Sequence, residues 1–177
     1  MPSGGNFGVQ VAPPILGSYL LRVNLRLSAA VSANSLIWAF RMGATRTGFI
    51  KMIVLSSGVD PTTAVASRYV YELVRFSGAN PTGGTALTVV KSRSSYSASN
   101  VQDARFNDAA ALTVTGITFE TAFCHLTGAR VNSSAVSRVV TLEDPFELLP
   151  NEGFGIRLTN ASIIGDFLSG SVAWEER

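Results

Sequence analysis

A chain of 177 residues, 46% hydrophobic and 15% charged, is long enough to bury the core of one domain yet carries far less than the roughly one quarter of charged residues usual in soluble domains. Its 14 basic and 12 acidic residues leave a formal charge of +2, and the arginines are dispersed (Arg22, Arg26, Arg41, Arg46, Arg68, Arg75 and onward) with no basic run of the nucleic-acid type. The single cysteine, Cys124, excludes a disulfide within the chain, and apolar runs break well before the roughly 20 residues that span a bilayer, so neither nucleic acid nor membrane is expected as a partner.

Only Lys51 and Lys91 among the basic residues are lysines. A charge-poor, arginine-rich composition fits a surface covered by other protein, because interface cores lose charge but keep arginine. It fits a GC-rich coding sequence equally well.

Residues 1–17 read as an extended arm. "PSGG" is flexible, Phe7, Val9 and Val11 alternate, and Pro13 and Pro14 stiffen the end of the arm toward a polyproline conformation. The opening "MPSGGNFGVQVAPP" has neither a basic start nor an apolar h-region, so it is not read as a secretory signal. Residues 18–177 read as one β domain. In "SYLLRVNLRLSAAV", Tyr19, Leu21, Val23, Leu25 and Leu27 are apolar at every second position, the period of a half-buried strand. "LIWAFRM" places Leu36, Trp38, Phe40 and Met42 on one face, and "FIKMIVLSS" is a more fully apolar strand. "SRYVYELVRFSG" is compatible with a helix, but its aromatic and β-branched content favours a strand. "ALTVVK" reads as a short strand.

"SRSSYSASNVQDARFNDAAA", residues 92–111, is the longest polar stretch, with a helical turn expected at "NVQDARF". Loops this long usually touch something. Arg93, Tyr96, Arg105 and Phe106 are its candidate exposed contacts. "LTVTGITFETAFCHLTG", "AVSRVVTLE" and "PFELL" resume strand composition. In "LLPNEGFGIRLTNA", Pro150 opens a turn, Gly153 is expected to supply the positive φ that leaves it, and Glu152 reads as a solvated tip. "DFLSGSVAWEE" ends the chain, with Glu175 and Glu176 read as a solvated strand end. About nine or ten strands without a convincing helix predict an antiparallel β-sandwich or barrel.

Chemistry-bearing motifs are sparse. Glu143 beside Asp144, with Glu147 close by, and Glu175 beside Glu176 are adjacent pairs that a strand aims to opposite faces, unlike the facing carboxylates of a glycosidase. His125 beside Cys124 is the only histidine, without a second ligand cluster. GxSxG and a phosphate-binding GxxxxGK[ST] are absent. Asp60, Asp103 and Asp108 sit in loops without EF-hand spacing. Trp38, Tyr69, Tyr71, Tyr96 and Trp174 include sugar-stacking candidates, of which Tyr96 is the most exposed by context. No catalytic residue, cofactor or metal is expected.

The extended arm, the "VQDARFNDAAALT" segment, the "LLPNEGFGIRL" hairpin and the last strand ending "VAWEE" together resemble small virion structural proteins of tailed bacteriophages. The resemblance implies a jelly roll at the particle surface: a capsid decoration or cement protein, homo-oligomeric with a trimer first. Its partners would be the major capsid protein or other virion proteins, with Phe7, Val9, Val11, Pro13 and Pro14 of the arm in contact. The alternative it implies is a receptor- or carbohydrate-binding module of a tail or neck appendage.

Overall fold

The computed structural model describes residues 17–26, 31–58, 68–107, 111–119, 126–129, 136–159 and 167–177. All its regular elements are strands: β1 (Gly17–Arg26), β2 (Ser35–Met42), β3 (Gly48–Gly58), β4 (Arg68–Phe76), β5 (Thr85–Ala86), β6 (Val90–Lys91), β7 (Val101–Phe106), β8 (Ile117–Phe119), β9 (Leu126–Ala129), β10 (Val136–Leu148), β11 (Gly153–Leu158) and β12 (Phe167–Glu176). They form two antiparallel sheets packed as a sandwich. One has the order β10-β3-β12-β1-β6; the other runs β5-β7-β2-β11-β4-β8, with β9 also paired to β4.

The main strands alternate between sheets in a wrapped sequence. β1, β3, β10 and β12 make one sheet; β2, β4, β11, β8 and β9 make the other. That connectivity is a jelly roll. Residues 77–116 are an excursion from it. β6 extends the first sheet beside β1, and β7 with β5 extends the second beside β2.

Side-chain alternation fills the space between the sheets. Tyr19, Leu21, Ile50, Ile53, Phe146, Leu148, Val172 and Trp174 come from one sheet, and Trp38, Phe40, Met42, Leu73, Phe106, Phe154 and Ile156 from the other. Aromatic rings pack within and between the layers. Phe40 stacks on Trp174 at 4.9 Å between centroids, Trp174 meets Tyr19 at 5.8 Å, and Phe154 meets Phe146 edge-on at 5.6 Å. Each such pair adds about 0.5–1.5 kcal/mol beyond area burial.

Bulges modify the expected faces. Ile37 is an extra residue between the pairs Trp38–Ile156 and Leu36–Arg157. It turns Leu36 to the outer face, against the expectation that Leu36 shares a face with Trp38, Phe40 and Met42. There Leu36 joins Ala39, Val74, Phe76 and Leu112 in a second apolar cluster. The returning end of the excursion covers it through bridges Leu36–Leu112 and Thr82–Thr113. Two expected strands, "AVSRVVTLE" and "PFELL", are one strand, β10, with its irregularity between Thr141 and Phe146. "NVQDARF" forms β7 rather than a helical turn. "ALTVVK" divides into β5 and β6, one on each sheet.

The hairpin at 149–152 also departs from expectation. Asn151, not Gly153, takes the positive φ, at 67°, as position three of a type II turn requires. Gly153 is needed for space: a Cβ there would lie 2.0 Å from the ring of Phe76.

Candidate docking surface

The connections at 43–47, 77–84, 98–100, 115–116 and 149–152, with the last residues of β12, gather at one end of the sandwich. Backbone hydrogen bonds tie them into two groups, 43–47 with 98–100, 149–152 and Arg177, and 77–84 with 115–116, and the Arg41 side chain links the groups through Asn80 and Asn151. Gly43 N donates to Asn100 O (2.6 Å), Asn151 N to Gly43 O (3.1 Å) and Gly78 N to Thr115 O (3.0 Å), while Thr47 and Arg177 exchange both backbone bonds at 3.0 Å.

Beneath it lies a buried carboxylate. Glu176 follows Val172 and Trp174 on the inward face of β12 and is fully buried. Arg46 Nη1 donates to its Oε2 at 3.1 Å, Asn100 N to the same oxygen at 2.9 Å, and Trp174 Nε1 to Oε1 at 3.2 Å. The Ser99 hydroxyl completes the set. Four donors meeting one carboxylate satisfy the charge that burial would otherwise penalise. The expectation that Glu175 and Glu176 form a solvated strand end therefore fails for Glu176. Tyr19 borders this knot. Its hydroxyl donates to Ser97 O at 3.1 Å, and its pKa is raised above the usual value of 10.0, first by burial and then by the charge of Glu176.

Glu152 is likewise no free loop tip. Its Oε2 accepts from Arg75 Nη1 at 2.6 Å and from Leu149 N at 2.9 Å, and the Arg75 guanidinium lies 4.4 Å from the Phe146 ring centroid. The outer face repeats this economy of charge. Arg157 pairs with Glu72, and Arg105 Nε donates to Asp103 Oδ2 at 2.8 Å.

The candidate contacts in the polar stretch separate. Arg93 is exposed, 5.9 Å from the centroid of the half-buried Tyr96 ring. Arg105 is held by Asp103 and by Gly83 O. Phe106 is fully buried in the core, which overturns its assignment as an exposed contact; its alternation with Ala104 on β7 turns both inward. The arm residues Phe7, Val9, Val11, Pro13 and Pro14 lie outside the described residues, as do Asp60, Asp108, Cys124 and His125. Of the aromatic candidates, Trp38, Tyr71 and Trp174 are core residues. No group of three His, Cys, Asp or Glu that could hold a metal occurs among the described residues.

Between β7 and residues 87–99 lies a cleft of about 460 Å³, its floor formed by Leu87, Val89 and Val101 and its rim by Lys91, Gln102 and Asp103. Two apolar side chains stand open on the surface near the tips, Leu149 and Ile117, 49% and 40% exposed. Sequence reasoning missed Arg41, Arg46 and Glu176. Only Glu176 had a signal, because it continues the inward period of Val172 and Trp174. Set against protein-family models, curated proteins and solved structures, the chain matches none of them.

Proposed function

We propose that this chain is a structural component of a tailed-phage particle, a decoration or cement protein that acts by protein–protein contact and not by catalysis. The observation that supports this reading best is the hydrogen-bonded end of the sandwich. Loops from five places in the sequence are cross-bonded into one surface that leaves Leu149 and Ile117 uncovered. A preorganised surface loses little conformational entropy on docking, and exposed apolar groups supply its driving force. The low charge of the chain and its arginine bias agree with a surface that other protein covers. In this reading the arm, residues 1–17, adds extended-strand contacts to a neighbouring subunit or capsomer, and the working unit is a homo-oligomer with a trimer first.

The test compares particles assembled with and without the protein on a heating ramp. The expected result is a higher bursting temperature with the protein bound; equal bursting temperatures would count against the proposal. Light scattering on the free chain checks the oligomer.

The cleft beside β7, with an apolar floor and polar rim, favours a second reading, a carbohydrate-binding appendage module. Saturable glycan binding, lost on blocking the cleft with a bulky side chain at the exposed lining residue Thr88 (Thr88→Trp), would support that reading instead.

A further inference from the structure

Arg41 stands out among the described arginines. Arg46, Arg75, Arg105, Arg157 and Arg177 each pair with a carboxylate. Arg41 has no such pair among the described residues; Asp103, opposite it on β7, is committed to Arg105. Arg22 and Arg93 also lack an ion pair there, but both are exposed, and Arg93 only leans on a tyrosine ring. Arg41 is half-buried and oriented by three neutral amides. Its Nη1 donates to Asn80 Oδ1 at 3.2 Å and to Gln102 Oε1, and its Nη2 reaches Asn151 Oδ1 at 3.5 Å. Its Nε is buried without a hydrogen-bond partner.

The amides have a second consequence. A guanidinium has only donors, so each amide must turn its oxygen toward Arg41 and its NH₂ away. Asn80, Gln102 and Asn151 are all exposed. The result is a cation ringed by outward N–H donors. Neutral amides hold the guanidinium in place without cancelling its charge. Leu149 lies two residues from Asn151 in the same turn. Ile117 lies three strands across from Arg41, through Phe76 and Gly153, or about 14 Å at the usual strand spacing.

We infer that Arg41, with the amides of Asn80, Gln102 and Asn151, is a receptor for a carboxylate on the surface of a partner protein, an aspartate or glutamate flanked by apolar residues that cover Leu149. This rests on the docking function proposed above and gives the partner its chemistry. Arginine is among the residues enriched at interface hot spots. A carboxylate accepts from several donors at once, as this ring offers them. An acidic sugar brings the same carboxylate but no apolar flank for Leu149, so the protein partner is favoured.

The test uses the free full-length chain, labelled with ¹⁵N, and reads the arginine Nε–H and side-chain amide signals. The probes are a capped Leu-Glu-Leu tripeptide, its Leu-Gln-Leu counterpart and sodium glucuronate. Leu-Glu-Leu should shift the signals of Arg41, Asn80, Gln102 and Asn151 saturably, and Leu-Gln-Leu should bind at least about tenfold more weakly, the factor that about 1.4 kcal/mol represents. Arg41→Ala should lose the response. Asn80→Asp, on an exposed loop and therefore gentle to the fold, should lose it too, by supplying Arg41 with an internal carboxylate. Equal binding of the Glu and Gln peptides, or a response unchanged in Asn80→Asp, would overturn the inference. Tighter binding of glucuronate than of Leu-Glu-Leu would overturn it in favour of an acidic glycan. Because no particle is involved, failure here is separable from an unchanged bursting temperature, which would count against the docking function itself.

Discussion

Glu175 and Glu176 are neighbours in sequence, yet replacing each with glutamine should have different consequences. Glu176 is fully buried and accepts from Arg46, Ser99, Asn100 and Trp174. Glutamine keeps one acceptor oxygen and turns an NH₂ toward the remaining donors. With the oxygen in the Oε1 position the NH₂ faces Arg46 and the ion pair is lost; with the oxygen in the Oε2 position Ser99 and Trp174 lose their acceptor. Removing one partner of a buried ion pair costs about 3 kcal/mol at the low end. For a domain of this length that corresponds to a fall in Tm of about 6–12 °C. Glu175 is 24% exposed and its ionic contacts, to Lys51 and Arg177, are 3.6 and 3.7 Å long; such a pair contributes about 0–1 kcal/mol. Thermal and urea unfolding of the two variants side by side gives the comparison, and limited proteolysis should show faster cleavage within 92–100 in Glu176→Gln alone. If both variants melt together, the knot does not hold this end and the reasoning is wrong.

Two further outcomes come from the same geometry. The pKa of Tyr19 is raised in the folded state, so folded protein holds its phenolic proton where unfolded chain has released it. Stability from this group is complete below pH about 10 and falls as pH rises through the folded value; unfolding midpoints across pH 8–11 should show a loss that Tyr19→Phe diminishes, with a cost at neutral pH of about 1 kcal/mol for the lost hydrogen bond. Gly153→Ala should cost about 1–3 kcal/mol in urea unfolding, because its Cβ would sit 2.0 Å from the packed ring of Phe76. A neutral result would mean that the ring is free to move.

The strands were legible wherever period two ran undisturbed. Tyr19 and Leu21 in β1, and Trp38, Phe40 and Met42 in β2, are buried as their spacing requires. Leu36 was not legible, because a bulge depends on the partner strand and Ile37 looks like any other apolar residue. The all-β sandwich followed from composition, but the roles of residues in 92–111 did not. Phe106 lies in a polar context, yet its environment is set by a sheet whose other strands come from distant parts of the chain. Charges were hardest to read. Glu176 and Arg46 are 130 residues apart, and nothing local to either names the other. The same holds for Arg75 and Glu152, 77 residues apart. Arg41 was only one of several dispersed arginines until the fold put three amides around it.

The pairing of β1 with β12 along their whole length, from Gly17 opposite Glu176 to Arg26 opposite Phe167, sets how the molecule responds to tension. Gly17 and Arg177 leave from the same end of an antiparallel pair. A pull between an anchored arm and the last residue therefore loads the bonds one after another, as in opening a zipper, rather than all at once in shear. The first rung in that path is the one beside the Glu176 knot, so mechanical resistance concentrates where four donors clasp a single carboxylate.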